Sequence, residues 1–196
     1  MTSDPTINDL SNPRNDHREH SGLPQPGTGS PPNGQSVSPF REFTERDHAD
    51  LELVALPTAV RCGRQHVVAQ LRQWGLEAYQ DPCTLVVSEL MTNAIGETGT
   101  LTVPAGYVEL RRLQLARIRL RLRLTDTCLG IEVWDSSPKL PVPAVSDEEA
   151  EGGRGLYLVN ACCTRWGTYP ARWPRGGKVV YAVWDLPDID GAAVIR

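Results

Sequence analysis

Apolar residues recur along this chain with two different periods. Cys83, Val86, Val87, Leu90, Met91 and Ala94 follow the i, i+3, i+4, i+7, i+8, i+11 pattern of a helix with one face on a core. Asp81 is placed to cap that helix, and Pro82 suits its first position, where a missing N–H costs nothing. The spacing therefore predicts a helix over 82–96. At about 100° per residue, Glu89 and Asn93 fall together along one margin of its apolar stripe. They border the core rather than open solvent, as residues lining a pocket would. An earlier helix is predicted from Thr58, read as its cap, to Trp74, with Val60, Val67, Val68, Leu71 and Trp74 as its buried stripe and Gly75 ending it. A third helix is predicted over 155–164.

The second period is two. Arg117, Arg119, Arg121 and Arg123 alternate with Ile118, Leu120, Leu122 and Leu124, which reads as a strand buried on one face and basic on the other. Thr125 to Leu129 turn the chain, and GIEVWD, Gly130 to Asp135, reads as its antiparallel return. LELVALP, Leu51 to Pro57, is a further short strand, and two more lie at 165–169 and 178–186. Helices and half-buried strands in these numbers fit an α/β two-layer sandwich, its mixed, mostly antiparallel sheet covered on one face by helices.

Composition sets the limits of that domain. Residues 1–45 hold seven of the sixteen prolines and four glycines with almost no periodic apolar pattern, too little to offset the entropy of ordering, so they are expected to form a disordered tail. The domain is expected over 46–190, followed by a short tail, 191–196. The formal net charge of −4 gives no general attraction to nucleic acid or an anionic membrane. The arginine strand accordingly reads as a solvated sheet face ahead of a nucleic-acid surface, with a partner-protein surface as the minority reading. No apolar run approaches the roughly 18 residues of a membrane span. The five cysteines lack C-x-x-C spacing and read as reduced, mostly buried thiols of a cytoplasmic protein.

Common catalytic signatures are missing. The only Gly-Lys pair, Gly177 and Lys178, is followed by Val179 and lacks the upstream glycine of a P-loop, and no H-E-x-x-H or G-x-S-x-G occurs. Three features remain, in order: Ser88-Glu89-Leu90 with Asn93; Val133-Trp134-Asp135 at a strand end; and EGGRGLYLV, Glu151 to Val159, a glycine-rich loop opening a helix whose free N–H groups can hold phosphate oxygens. Singly, each has an ordinary structural explanation: a solvated Glu, an Asn bonded locally, an Asp turning the chain, glycines in a turn.

In order and spacing the features resemble the ATP-binding domain shared by histidine kinases, type II topoisomerases and heat-shock chaperones, the Bergerat or GHKL fold. Within it they are most similar to the small actinobacterial anti-sigma-factor-type serine/threonine kinases. The resemblance spans roughly Leu51 to Leu186 and rests on VRCGRQHVVAQLRQWGL, SELMTNA, the strand EVWD with the SPKLPVP segment just after it, GRGLYLV with the trailing RWG, and GGKVVYAVWDL. It implies that Asn93 gives its side-chain oxygen to Mg2+, that Glu89 is the general base, and that Asp135 accepts a hydrogen bond from the adenine amino group. Gly153, Arg154, Gly155 and Leu156 would form the phosphate loop and helix start, and Pro138 to Glu151 a short lid. Lys178 and Arg154 are candidates to approach phosphates or to be a solvated strand lysine and a rim arginine.

The function so implied is transfer of the ATP γ-phosphoryl group to a partner, an anti-sigma antagonist, with a sigma factor as a further partner and self-association as a homodimer. The alternative is a non-catalytic ATP-binding module that sequesters its partner. Two departures bear on this choice. Ala94-Ile95-Gly96-Glu97 stands where the family often has a basic or histidine residue, so Glu97 is expected to weaken phosphate binding if it faces the site. Asp135-Ser136-Ser137-Pro138-Lys139 replaces the D-x-G-x-G of the wider superfamily.

Overall fold

Five strands pair in the order β1-β2-β3-β5-β4, and each pairing is antiparallel. The strands are β1 (Glu45–Val54), β2 (Arg117–Thr125), β3 (Cys128–Asp135), β4 (Arg165–Pro170) and β5 (Lys178–Asp185). Three helices, α1 (Thr58–Gln73), α2 (Gln80–Thr98) and α3 (Arg154–Cys162), cover one face. This computed structural model describes residues 38–99, 115–141, 154–171 and 176–187, and the counts of strands and helices are of those residues. The part of the expected tail before 38, Gly153, residues 142–151 of the lid expected over 138–151, and the expected C-terminal tail lie outside the described residues.

The two-layer α/β sandwich is as the alternation predicts. Ile118, Leu120 and Leu122 of β2, Leu129, Ile131 and Val133 of β3, and Val180, Ala182 and Trp184 of β5 all point to the helical side. There they meet Val67 and Leu71 of α1 and Val86, Val87, Leu90 and Met91 of α2, which are essentially inaccessible to water. Of the stripe expected on α1, Val60, Val68 and Trp74 are only half-buried, whereas Ala59 and Gly63 are buried. Gly63 is buried because α1 crosses α2 there. A Cβ on Gly63 would lie 2.2 Å from Met91 Sδ.

Helix starts differ from their predicted caps. Thr58 is the first residue of α1 rather than its cap, which is Pro57, and α2 begins at Gln80 after a 3-10 turn, Glu77–Tyr79. Asp81 and Pro82 thus sit inside the first turn of α2. Proline is tolerated there because the first four helical N–H groups have no intrahelical acceptor. The cysteines are free thiols, with Cys83, Cys128 and Cys163 buried and Cys62 exposed.

β1 starts at Glu45 rather than Leu51, and on its outward face the added length meets β2 through charge. His48, Asp50 and Glu52 stand opposite Arg123, Arg121 and Arg119. Glu52 takes Arg117 at 2.9 Å and Arg119 at 3.0 Å, Asp50 chelates Arg121, and Arg123 bridges Glu45 and Glu132. The arginine ladder is therefore neutralised within the sheet, as the solvated-face reading requires, and it offers no bare basic stripe to a polyanion.

The described structure already extends upstream of the expected boundary at 45. A 3-10 turn, Pro39–Glu42, lies on the sheet face away from the helices, and Ser38 caps it by accepting from the Phe40 amide. Phe40 is 6 % exposed and packs with Cys128, Tyr181 and Val183. Its seat is glycine-floored, since a Cβ on Gly130 would come within 2.1 Å of the Phe40 ring. The Arg123 guanidinium lies 5.5 Å from the ring centroid, a cation–π contact. Beside it the buried Glu132 carboxylate accepts from Ser38 Oγ (3.2 Å), Tyr169 Oη (2.7 Å) and Arg123 Nε (2.8 Å). Burial and that carboxylate together push the Tyr169 phenol well above its ordinary value.

Phe40→Ala is expected to destabilise the domain by about 3 kcal/mol, the usual cost of emptying a buried aromatic site. Gly130→Ala should displace the same ring, so in urea melts the double variant should lose clearly less than the sum of the two. Additive losses would mean that Phe40 and Gly130 do not share one contact.

Candidate functional site

β3 and β5 bring the site's most buried polar groups together. Asp135 closes β3 and Lys178 opens β5, and the antiparallel register sets them opposite each other on the helical face. Their side chains are 1 % and 4 % exposed, and Lys178 Nζ lies 2.9 Å from Asp135 Oδ1. The same oxygen accepts the Ser137 amide at 2.9 Å, so the chain turns just after the strand. Lys178 also points to the Ser137 carbonyl at 3.4 Å.

The turn into β5 depends on two glycines in the left-handed region, Gly176 (φ 65°) and Gly177 (φ 84°). At Gly177 a Cβ would sit 2.0 Å from the Asp135 carbonyl oxygen, so only glycine lets the two strand ends approach this closely. The Gly176 carbonyl accepts from the Trp134 indole N–H at 2.9 Å and fixes the turn to β3.

These residues form one wall of a cleft of about 430 Å³. Asp135, Lys178 and Val180 supply the sheet wall, and Asn93, Ala94 and Glu97 of α2 the facing one. Gly155 and Leu156 of α3 and the 139–141 segment close its ends. Asn93, Asp135, Gly155 and Leu156 therefore converge, although they come from three separate elements. Arg154 opens α3, and Gly153 precedes the described part of that helix.

Glu89 lies one turn before Asn93 on α2 and does not line the cleft. Its carboxylate is packed against the first turn of α3, where a Cβ on Gly155 would fall 2.5 Å from Glu89 Oε2. The missing side chain at 155 gives the carboxylate its room, beside the electropositive end of a helix. Glu97 does face the cleft, as its departure from the family pattern made relevant, and its charge is met by Lys139 Nζ at 3.1 Å across the mouth.

Lys178 is where the sequence reading fell short. It is not a solvated strand lysine but a buried counterion to Asp135. The signal was present in its strand: Lys178 shares a parity with the core-facing Val180, Ala182 and Trp184. Its partner lies 43 residues earlier, a distance that no local pattern spans.

Electrostatically the pair is held in tension. Burial pushes the Asp135 carboxyl above the ordinary carboxylate value, against the opposite pull of the Lys178 ammonium and the Ser137 amide. In a carbon-detected NMR titration the Asp135 carboxyl should therefore titrate above 3.8. Lys178→Met should move it further up, because the attraction is lost while the burial stays. A midpoint below 3.8 in the native protein would show that the ion pair outweighs desolvation.

Among the described residues no helix is long and apolar enough to cross a membrane. No curated protein shows significant similarity to the chain. A family model described as the histidine kinase-like ATPase domain matches residues 53–184, which takes in the last two residues of β1, β2 to β4, all but the last residue of β5, and the three helices.

Proposed function

The chain belongs to the histidine kinase-like ATPase domain family, and from that premise we propose that its cleft takes ATP with magnesium and delivers the γ-phosphoryl group to a serine or threonine of a partner protein. The observation that carries the reading is the arrangement of the cleft. A buried acceptor, Asp135, stands on the sheet wall, and the first turn of α3 stands at one end. One suits the amino group of a purine, and the other the phosphates.

The residues divide the work by their chemistry. Asp135 takes the exocyclic amino group through a charged, desolvated acceptor, which makes the contact selective as well as strong. The backbone of Gly153, Arg154, Gly155 and Leu156 holds phosphate oxygens at the helix start. Asn93 lines the cleft with a hard carboxamide oxygen, a donor that fits magnesium, which commonly keeps several waters and takes few protein ligands. Bound magnesium would neutralise phosphate charge. In the transfer itself the partner's hydroxyl oxygen bonds to the γ-phosphorus, the bond to the β–γ bridging oxygen breaks, and ADP leaves. The hydroxyl proton goes to Glu89, one turn from Asn93.

Resemblance of the SELMTNA, EVWD and GRGLYLV boxes to the anti-sigma-factor-type kinases supports an anti-sigma antagonist as the phosphorylated partner and a sigma factor as the regulated one. One observation favours the second reading, a binding module without transfer. The Glu89 carboxylate rests against Gly155 instead of lining the cleft.

Asp135→Ala should weaken Mg-ATP binding at least about 10-fold by calorimetry, the worth of a charged hydrogen bond. Glu89→Gln should keep binding while transfer of labelled phosphate to the antagonist falls by about 100-fold or more. Binding with no transfer by the native chain to any antagonist of the same organism would favour the sequestering module. An absence of ATP binding at millimolar nucleotide would overturn both readings.

A further inference from the structure

The unused hydrogen-bonding capacity of the buried ion pair specifies more than the pair's own stability. Asp135 Oδ1 is doubly occupied, by Lys178 Nζ and the Ser137 amide, both at 2.9 Å. Asp135 Oδ2 has no hydrogen-bond partner among the described residues. The Lys178 ammonium carries three N–H donors. One goes to Oδ1, and a second points to the Ser137 carbonyl at a long 3.4 Å. At least one donor is left over on a residue that is 3 % exposed and lines the cleft. A buried charged donor without an acceptor is costly, so whatever fills the cleft is selected to supply one.

The sheet wall thus offers one acceptor and one donor side by side. We propose that Lys178 is a specificity-determining residue of this cleft, donating to the N1 ring nitrogen of adenine while Asp135 Oδ2 accepts from the neighbouring N6 amino group. The inference rests on the reading that the cleft binds ATP, and it assigns to Lys178 a direct contact with the base. The Watson–Crick edge of adenine answers both groups with nothing left over, N1 accepting and the 6-amino group donating. Guanine set with O6 on Lys178 and N1–H on Oδ2 would carry its 2-amino group against the wall with no acceptor, because Oδ1 is already filled. Hypoxanthine lacks the amino donor, and placed as adenine is it sets N1–H against the ammonium donor to donor, so it can meet the wall only in the shifted setting, with O6 on Lys178 and N1–H on Oδ2.

The register of the sheet enforces this arrangement. Asp135 and Lys178 are a directly opposed pair of β3 and β5, and Gly177 permits the contact between their strand ends. Val180, two residues on and on the same face, also lines the cleft and gives the base an apolar neighbour. A lysine that served only to balance the charge of Asp135 would stabilise the fold equally but would be indifferent to the ring atom at position 1.

The test compares ATP with 1-deaza-ATP, in which a C–H replaces N1 and the amino group and phosphates are unchanged. Calorimetric affinities are measured for the native chain, Lys178→Met and Lys178→Gln. The native protein is expected to bind the analogue about 10- to 100-fold more weakly than ATP, as for a charge-assisted hydrogen bond lost. Lys178→Met should bind the two within about 3-fold, and Lys178→Gln, which keeps an N–H donor, should recover part of the discrimination. Equal affinity of the native protein for ATP and 1-deaza-ATP would overturn the role of Lys178 while leaving ATP binding intact. Binding of neither nucleotide would overturn the underlying reading along with it. Because the first comparison uses the native chain, it decides the matter even if Lys178→Met does not fold.

Discussion

The pairing of β3 with β5 is the constraint from which the cleft follows. It places a carboxylate and an ammonium opposite each other, 2.9 Å apart, on the core side of the sheet. Removing one partner of such a pair commonly costs about 3–5 kcal/mol, because the survivor is left charged and dry. Yet two buried charges facing only each other contribute little net stability. A mixed apolar and hydrogen-bonded strand end would hold the sheet at least as well. The arrangement is better explained by what it leaves open on the cleft side than by the strength of the pair, and Gly177 limits that strand end to the one residue type that lets it close.

Much of this was legible along the chain because the relevant periods are short. The i, i+3, i+4 pattern of α2 put Glu89 and Asn93 on one margin, and the return strand GIEVWD put Asp135 at a strand end. What escaped was everything set by partners far apart in sequence. The early half of β1, ERDHAD, has no apolar alternation to reveal it, and it is a strand because its acids face the arginines of β2 more than 65 residues later. Phe40 looks like a stray aromatic in proline-rich sequence until Gly130 supplies its seat. The first turn of α2 was misplaced for a different reason. Asp81-Pro82 is a good start signal, but a preceding 3-10 turn lets the helix begin two residues earlier.

The two faces of the sheet show different solutions to burying polar groups. On the helical face, among the described residues, a single ion pair is sunk among aliphatic side chains and borders the cleft. On the other, charges are laddered across three strands, and Glu132 alone is fully withdrawn from water, satisfied by a hydroxyl, a phenol and a guanidinium. The exposed ladder is screened and contributes modestly to stability, but it fixes register, since a slip by one residue would set arginines over the core and leucines in solvent. β3 belongs to both systems. Glu132 and Asp135 are three residues apart on opposite faces, so the strand that carries Asp135 is held from behind by a polar network.

Phe40 and Ser38 settle from which side the chain enters the domain. The entry point lies against Gly130 and Glu132, on the far side of the sheet from the helices and the cleft. A surface tether, affinity tag or fluorescent fusion joined directly at Ser38 is consequently anchored behind the sheet. Immobilised that way, the molecule presents its mouth outward, and a solute reaches the cleft without passing the anchor.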